Sequence, residues 1–364
     1  MKNHLKEGLC TIFLLIFFFF LPTSLYAQLE ANTSDDQANT TLTVLDWAKP
    51  SKFDTGQNSA IAIHSSGLIV EVHATESITH NGLYYHIGQL NSDTGTISWG
   101  PSRLFISAGA WPAVAITREG YVIITWSDGF YKCCSDLKYL VGTVDLDGGT
   151  SQRIDFKTAS KGTTFDSGFH NSISVNGIGV IAEAHESGSG GKGIYYRLGH
   201  LTNPAGGDFS ISWDTGTKGL KYDDGINPNI SVNDDNNVIE VHNVTGEGKT
   251  HYIRGKVGLN STQINFVKPH PRLEGSGSNP NVVLLNNSSI VEVSFNLAGI
   301  KYITGTLNGA NEVKWSEATV IDDTKDRHVP SVAANGSRVI ATFGDPYDAI
   351  NKSVHLWYTT APLP

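Results

Sequence analysis

The sequence has few cysteines, and the way they are placed excludes a disulfide framework. Three cysteines occur in 364 residues. Cys10 lies before an apolar run near the N-terminus, and Cys133 and Cys134 are adjacent, so they cannot form the set of bridges that holds small secreted domains together. Zinc binding by this pair is not expected, because no histidine is near it in the sequence. Whether Cys133 and Cys134 are two thiols or one vicinal disulfide stays open.

The chain is also short of positive charge. Its formal net charge is −9, and it becomes about −10 without the first 27 residues, which carry two lysines and one glutamate. No cluster of basic residues occurs. Binding to nucleic acid or to an anionic membrane needs such a cluster, so neither is expected as a partner.

Long apolar runs are missing apart from one at the N-terminus, and this one is typical of a signal peptide spanning residues 1–27. Lys2 and Lys6 supply positive charge, Ile12–Leu21 is apolar, and the segment ending at Ala27 offers a cleavage site. The run is shorter than the ~20 residues that cross a bilayer. We therefore expect a secreted protein, extracellular or periplasmic in a bacterium, with an uncleaved anchor as the alternative. Residues 28–42 are polar and predict a flexible lead-in.

Motifs for covalent catalysis and for phosphate binding do not occur. The sequence has no Gly-x-Ser-x-Gly, no His-Glu-x-x-His and no phosphate-binding loop. We therefore predict no cofactor and no metal site. A Ca²⁺ ion in a central channel, held by Asn58, Asn171, Asn227 and Asn279, is an alternative to the ordinary role of asparagine in turns.

A repeat of short strands dominates the rest of the chain. In Tyr222–Gly255, a turn with Asp-x-Gly and Asn-Pro precedes three strand-like segments, and a fourth ends at Phe266. The turn residue and the end of the second strand are 17 positions apart in six copies: Gly56–His73, Gly109–Trp126, Gly168–His185, Gly225–His242, Gly277–Ser294 and Asp326–Phe343. A tyrosine of the third strand recurs as Tyr85, Tyr139, Tyr196, Tyr252, Tyr302 and Tyr358. The repeat predicts an all-β fold, a six-bladed β-propeller of four-stranded blades.

The two ends of the repeat complement each other. The sixth copy has no fourth strand after Tyr358, because the chain ends at Pro364, whereas a strand-like segment around Trp47 precedes the first copy. We expect residues 43–48 to pair near Tyr358, so that the N-terminal strand completes the last blade and closes the ring. Residues 43–362 would then form a single propeller domain, with seven blades as the alternative.

Candidate binding residues lie on the second and third strands of the repeat. Positions i and i+2 of a strand share a face, so each Glu-x-His pair projects into one gap between neighbouring blades. The pair is complete in the first, third and fourth copies and lost in the second and sixth, which favours a ligand over a packing role. A structural network inside the interfaces is the alternative. The predicted sugar-binding residues are Glu71, His73, Tyr84, His86, Glu183, His185, Tyr195, Arg197, Glu240 and His242.

The Asp-x-Gly turns at Asp54, Asp166 and Asp223 superficially resemble the Asp-box of sialidases. That box has Ser or Thr two residues before Asp and Trp three residues after Gly. Here Lys52 precedes Asp54, and no tryptophan follows at that spacing. We interpret these aspartates as turn residues that bind backbone N–H groups.

The whole pattern resembles the tandem-repeat β-propeller lectins of the PLL type. The resemblance rests on Asp-x-Gly-x-Asn-Pro, Val-Ile-Glu-Val-His, Tyr-Tyr-Arg-x-Gly and Ile-Ser-Trp, and it covers about residues 44–360. It implies pockets between blades for fucose or O-methylated glycans. The Aleuria-type fucose lectins are similar in blade number.

The expected function is therefore that of a secreted, multivalent lectin without enzymatic activity, whose partners are glycans or glycoconjugates. A propeller glycoside hydrolase or lyase is one alternative, and it would need a single acid/base pair in one blade. A protein-binding scaffold is the other, and it would need an exposed apolar patch on one face.

Overall fold

The computed structural model describes residues 44–75, 82–129, 135–158, 160–188, 193–203, 209–246, 249–258, 261–268, 271–308, 312–325, 327–345 and 354–364. The predicted signal peptide, the lead-in and the Cys133–Cys134 pair lie outside these ranges. Of two compact units, Met1–Thr41 is likewise not described, and Leu42–Pro364 contains all the described residues. Within these residues, no helix has the length and apolarity to cross a membrane.

All the regular elements described are strands, so the all-β class is confirmed. Strand β1 (Ser51–Thr55) precedes the first repeat, whose sheet consists of β2 (Gln57–Ile63), β3 (Leu68–Ala74), β4 (Leu83–Leu90), β5 (Ile97–Trp99) and β6 (Arg103–Ile106). The second and third repeats contain β7 (Ala110–Ile116), β8 (Tyr121–Ser127), β9 (Asp136–Thr143), β10 (Asp155–Phe156), β11 (Thr163–Val175), β12 (Val180–Ser187), β13 (Gly193–Thr202), β14 (Ser210–Trp213) and β15 (Leu220–Asp224).

The remaining repeats follow the same antiparallel order. The fourth consists of β16 (Ile226–Val232), β17 (Asn237–Asn243), β18 (Thr250–Val257) and β19 (Ile264–Phe266). The fifth consists of β20 (Ser278–Leu284), β21 (Ser289–Asn296), β22 (Gly299–Asn308), β23 (Glu312–Trp315) and β24 (Thr319–Asp322). The sixth consists of β25 (His328–Ala334), β26 (Arg338–Gly344) and β27 (His355–Pro362).

The described strands form five hydrogen-bonded sheets, where the sequence predicts six separate ones. The difference arises at β11, which takes part in two repeats. Its first half pairs with β9 and its second half with β12, with a register shift between Phe169 and Ser172. Because the chain passes from the outer edge of one repeat to the inner edge of the next without a turn, hydrogen bonding joins both repeats into one nine-stranded sheet.

The N-terminal segment belongs to the last sheet. Strand β1 pairs antiparallel with β27, with Ser51 opposite Tyr358. The paired strand therefore begins at Ser51 and not within residues 43–48, although the Ala48 amide donates a hydrogen bond to the Thr360 carbonyl at 2.8 Å. Pro50 lies between these two contacts, and it has no amide hydrogen with which to continue the ladder.

The recurrent tyrosines join each repeat to the next. All are buried except Tyr358, which is partly buried, and the hydroxyl groups of five of them accept a hydrogen bond from a backbone amide in the outer part of the following repeat. The amide-to-tyrosine pairs are Ile154 to Tyr85 (3.2 Å), Ile211 to Tyr139 (3.1 Å), Ile264 to Tyr196 (3.2 Å), Leu45 to Tyr302 (2.9 Å) and Ile97 to Tyr358 (3.4 Å). Leu45 thus takes the position that an outer strand takes in the other repeats.

The inner strands β2, β7, β11, β16, β20 and β25 line one cavity of about 250 Å³. Side-chain oxygens on one inner strand accept hydrogen bonds from backbone amides of the next. Ser172 accepts from Ile230 at 3.1 Å, and Ser331, in the last repeat, accepts from Ile61, in the first, at 3.3 Å. These bonds satisfy backbone groups that face the cavity. Sheets arranged around a shared cavity in this way form a β-propeller.

Candidate functional site

The Glu-x-His pairs lie where two repeats meet, as the alternation of the strand predicts. Each glutamate is completely buried and accepts a hydrogen bond from Nδ1 of its histidine at 3.0 Å, in the pairs Glu71–His73, Glu183–His185 and Glu240–His242. An aspartate of the preceding outer strand faces Nε2 of each histidine. The Oδ2–Nε2 distances are 3.5 Å for Asp54–His73, 3.8 Å for Asp166–His185 and 3.7 Å for Asp223–His242.

The aspartates of the Asp-x-Gly turns are therefore members of these interface clusters, a role that the turn interpretation missed. Their spacing before the turn glycine is the signal that could have identified them. The tyrosines predicted beside them are also in place. The ring of Tyr84 stacks on His73, and that of Tyr195 on His185, both with centroids 5.8 Å apart.

The three interfaces differ in the third-strand residue that lies opposite the glutamate of each pair. In the first repeat it is His86, whose Nε2 lies 2.6 Å from Asp54 Oδ2. In the third it is Arg197, whose guanidinium lies 3.6 Å from Asp166 Oδ2. In the fourth it is Ile253, which has no polar side-chain atom.

In the first and third interfaces, burial and the neighbouring charged groups act on the pKa values of the side chains in opposite directions. Burial acts to raise the pKa of Asp54, but the hydrogen bond with His86, helped by the Thr55 amide and the charge of His73, outweighs it and lowers the pKa to about 2. Burial acts to lower the pKa of His86, and the hydrogen bond to Asp54 outweighs it and raises the pKa. Burial raises the pKa of Glu183 even though His185 opposes it.

The ten predicted sugar-binding residues thus lie in three interface clusters, and the glutamates and histidines of the pairs are almost completely buried. A buried carboxylate satisfied by a neighbouring imidazole is what the structural-network alternative describes. Sugar contact at these residues stays a prediction.

A second candidate site lies on the wall of the central cavity. Each inner strand contains a register shift near its start, and the residue there has a positive φ. Asparagine takes this position in three repeats, and tryptophan, histidine and valine take it in the others: Asn58 (54°), Trp111 (47°), His170 (43°), Asn227 (53°), Asn279 (46°) and Val329 (43°). Asparagine tolerates this conformation, whereas bulky or β-branched residues are strained in it.

The Ca²⁺ alternative placed Asn171 in this position, but the structure puts His170 there. The spacing of the repeat agrees with the structure, because His170 lies two residues after Gly168, as Asn58 lies two residues after Gly56. Asn171 instead donates a hydrogen bond to Thr125 Oγ1. Asn171 therefore does not share the backbone conformation of the three other asparagines in the Ca²⁺ alternative.

The repeat symmetry of the cavity wall breaks at Trp111 and His170. Their ring centroids are 4.3 Å apart. His170 Nδ1 lies 2.6 Å from Glu186 Oε1, which also accepts a hydrogen bond from the Asn227 amide at 2.6 Å. Sequence reasoning missed this group, although the replacement of Asn-Pro by Trp111-Pro112 was a visible signal.

This arrangement can transfer protons and hold a sugar ring. With Nδ1 donating to Glu186, neutral His170 has its lone pair on Nε2, where it can act as a general base. An indole next to it provides an apolar wall, and the amides of Asn58, Asn227 and Asn279 provide donors and acceptors. A concave site of this composition is typical of small-molecule binding.

Comparison with known proteins shows similarity of fold. No family model matches the sequence, and no curated protein matches it. The α-L-arabinofuranosidase Arb93A of Fusarium graminearum, solved with an iminosugar inhibitor, has a TM-score of 0.54 at 10% identity and covers 87% of this chain and 98% of its own. The α-L-arabinanase of Penicillium chrysogenum, complexed with arabinobiose, has a TM-score of 0.53 at 10% identity, over 86% of this chain and 98% of its own.

The sialidase of Trypanosoma rangeli has a TM-score of 0.50 at 10% identity and covers 84% of this chain. This chain spans only 55% of the length of that sialidase. At these identities, the similarity establishes the β-propeller fold and nothing finer.

The expectation of a non-enzymatic lectin is wrong. The similar structures named above are an arabinofuranosidase, an arabinanase and a sialidase, which are enzymes that act on glycans. The comparisons support the alternative of a propeller glycoside hydrolase better than the resemblance to PLL-type or Aleuria-type lectins.

Proposed function

We propose that the protein is a glycan-degrading enzyme of the propeller glycoside hydrolase class, with its reaction centre on the wall of the central cavity. The observation that carries this proposal is the break in repeat symmetry at Trp111, His170 and Glu186. A structural network recurs from repeat to repeat, whereas catalysis needs one set of groups in mutual contact. The Glu-x-His networks are of the first kind, and the His170–Glu186 pair is of the second.

Each residue of the group has a distinct role in this proposal. Trp111 supports the apolar face of a sugar ring, and the asparagine amides bind hydroxyl groups. Glu186 orients His170, which exchanges a proton with the attacking water or with the glycosidic oxygen.

A polysaccharide panel tests this proposal. The purified chain is assayed on arabinans, sialylated glycans and other plant, animal and algal polysaccharides for the release of reducing ends. The substitutions His170→Asn and Glu186→Gln should each lower the rate by about 100-fold or more. Asparagine is chosen because three other repeats carry it at the same backbone conformation.

The matched control is His200→Asn. His200 also pairs with a carboxylate, Asp214, at 3.1 Å, but it is exposed on the outer part of the third repeat. Its substitution should leave the rate unchanged. A His170→Asn variant with the wild-type rate, or a loss of rate in the His200→Asn control alone, would contradict the placement of the reaction centre.

A lyase is the second candidate, and one observation favours it. Among the described residues that line the cavity, none is an aspartate or a glutamate, and Glu186 reaches the wall only through its contacts with His170 and Asn227. Glycoside hydrolysis ordinarily uses two carboxyl groups. A lyase would need His170 as the base that takes the proton next to a uronate carboxylate, with amides to hold that carboxylate, and the protonated His170 would then donate the proton to the glycosidic oxygen as its bond to the uronate breaks. Ultraviolet absorbance of an unsaturated product separates the two reactions.

We also propose that the six repeats form a closed ring of six blades spanning residues 43–362, completed by the N-terminal strand. The pairing of β1 with β27, and the hydrogen bond between Ser331 and Ile61, support this closure. Deleting residues 28–55, which removes both β1 and the Leu45 contact with Tyr302, should lower the melting temperature sharply, and unchanged melting would contradict the closure.

Secretion is proposed on the sequence of residues 1–27. N-terminal sequencing of protein recovered from the medium or periplasm should begin at Gln28. A chain that begins at Met1 and sediments with membranes would favour the uncleaved anchor instead.

A further inference from the structure

We propose that Asp54, His73 and His86 bind a divalent transition-metal ion of the zinc type. One ligand atom from each lies within 4.8 Å of the other two. Asp54 is on β1, His73 on β3 and His86 on β4, so the site lies between the last and the first sheet. None of the three residues lines the central cavity, so this site is separate from the proposed reaction centre.

The orientation of both histidines is that of metal ligands. Their Nε2 atoms face Asp54 Oδ2, at 3.5 Å for His73 and 2.6 Å for His86. Their Nδ1 atoms face acceptors, the Glu71 carboxylate at 3.0 Å and the Gly100 carbonyl at 2.9 Å. Histidines that bind metals usually donate Nδ1–H to a carboxylate or a carbonyl, which leaves the Nε2 lone pair for the ion.

The acceptors that orient the histidines are themselves held in place. Glu71 Oε1 accepts a hydrogen bond from Ser59 Oγ at 2.6 Å, and Glu71 is completely buried. The Gly100 amide donates to the Ile87 carbonyl at 2.8 Å, which fixes the peptide next to the Gly100 carbonyl. Both imidazole rings are therefore oriented before any ion binds, which reduces the conformational cost of binding.

The spacing of the three ligand atoms suits a tetrahedral ion after a small movement. With Zn–N and Zn–O distances of about 2.0–2.1 Å, neighbouring ligand atoms lie roughly 3.3 Å apart. The 3.5 Å between Asp54 and His73 meets this spacing. The 2.6 Å between Asp54 Oδ2 and His86 Nε2 is a hydrogen bond. The ion would replace the shared proton, and the distance between these two atoms would increase by less than about 1 Å.

Two imidazoles and one carboxylate leave a fourth position for water, and the Asp54 side chain, 23% exposed, gives the ion a route from solvent. Imidazole and carboxylate ligands together favour zinc and similar first-row ions over Ca²⁺ or Mg²⁺, which bind oxygen ligands.

The other interfaces provide internal controls. The third repeat has Asp166 and His185, but Arg197 stands in place of His86, and a guanidinium has no lone pair to offer. In the fourth repeat the corresponding residue is Ile253. Among the described residues, only the first interface therefore brings three donor atoms together.

The test is metal binding by the mature chain, freed of metals with a chelator and dialysed. Titration with Zn²⁺ should show one strong site per chain, and Co²⁺ at that site should give the visible absorption of a tetrahedral complex. His86→Ile, which installs the residue of the fourth repeat, and Asp54→Asn should each weaken Zn²⁺ binding at least ~100-fold. Asp223→Asn, the equivalent change in the fourth repeat, should leave it unchanged.

Native mass spectrometry of the unsubstituted chain decides the question even if a variant does not fold. One retained Zn²⁺ that competes with Co²⁺ supports the site. The proposal is overturned if no ion is retained, if the Co²⁺ spectrum is octahedral, or if Asp54→Asn and Asp223→Asn weaken Zn²⁺ binding equally. The three residues would then form a charge-paired network only. Glycan turnover is not a readout, so failure of the metal site and failure of the proposed function are distinguishable.

Discussion

Glu292 predicts a dependence of stability on pH that can be measured directly. It occupies the glutamate position of the fifth repeat, where Ser294 replaces the histidine of the other pairs, and it is completely buried. Burial raises its pKa from 4.5 to about 7, and the hydrogen bonds of Ser276 and Ser294 oppose this only in part. The Glu292 carboxyl group therefore prefers its neutral form in the folded chain.

The sign and size of the effect follow from proton linkage. Between pH 4.5 and about 7, the folded chain keeps a proton on Glu292 that the unfolded chain has released. The free energy of unfolding should therefore fall as pH rises through this window. The difference of about 2.5 pKa units corresponds to roughly 3 kcal/mol, fully lost only above pH ~7.

The perturbation that isolates this effect is Glu292→Gln, which has nearly the same shape and cannot ionise. Urea unfolding near pH ~5 and near pH ~8 gives the change in free energy for each variant. Between these conditions, the free energy of unfolding of wild type should fall by about 2.5 kcal/mol more than that of Glu292→Gln, because part of the window lies below pH ~5. Glu312→Gln, which removes an exposed charge from the same sheet, should follow wild type. Equal losses in wild type and Glu292→Gln would refute the reasoning.

Three smaller predictions concern the backbone and the ends of the chain, and urea unfolding measures each. Val329→Asn should raise the free energy of unfolding by about 1 kcal/mol, because Val329 has a φ of 43° that asparagine tolerates better; no gain would argue against strain there. Gly225→Ala should lower it by about 1–3 kcal/mol, since the new Cβ would lie 2.5 Å from His242 Cδ2; a neutral result would mean that the ring can move. Tyr302→Phe should lower it by about 1 kcal/mol and speed proteolysis of the N-terminal segment, because the hydroxyl bound to Leu45 is lost; unchanged proteolysis would count against that contact as an anchor.

Much of the fold follows from local features of the sequence. Strand alternation and turn residues act over a few positions, so the 17-residue spacing places the strands of each repeat correctly. The continuity of β11 across two repeats could not be predicted in this way. It depends on backbone geometry around Asp166–Gly168, where the residues that predict a turn stay within the strand.

The sites were less predictable, because they combine residues from distant parts of the chain. The Glu71–His73 pair could be found because two residues on one strand face share a direction. The contact of Asp54 with His86 could not, because it joins strands of two different sheets. His170 was missed because the neighbouring Asn171 resembles the repeated asparagine, although His170 is the residue with the same spacing from its turn glycine.

The resemblance to lectins illustrates the same limit. The motifs that carry it, the Glu-x-His strand and the tyrosine column, are buried at interfaces between repeats. Such residues determine how repeats pack, and a packing arrangement can serve proteins of different function. Function depends instead on the few positions that depart from the repeat, such as Trp111 and His170.

The number of glycan sites per chain tests most directly whether the central cavity is where the protein binds sugar. Titration calorimetry of a glycan identified on the panel, added to the Glu186→Gln variant to limit turnover, gives that number. We expect one site per chain, located in the central cavity and lost in the Trp111→Ala, Glu186→Gln double variant. Three similar sites that persist without the indole of Trp111 would contradict it and return sugar binding to the interfaces between repeats.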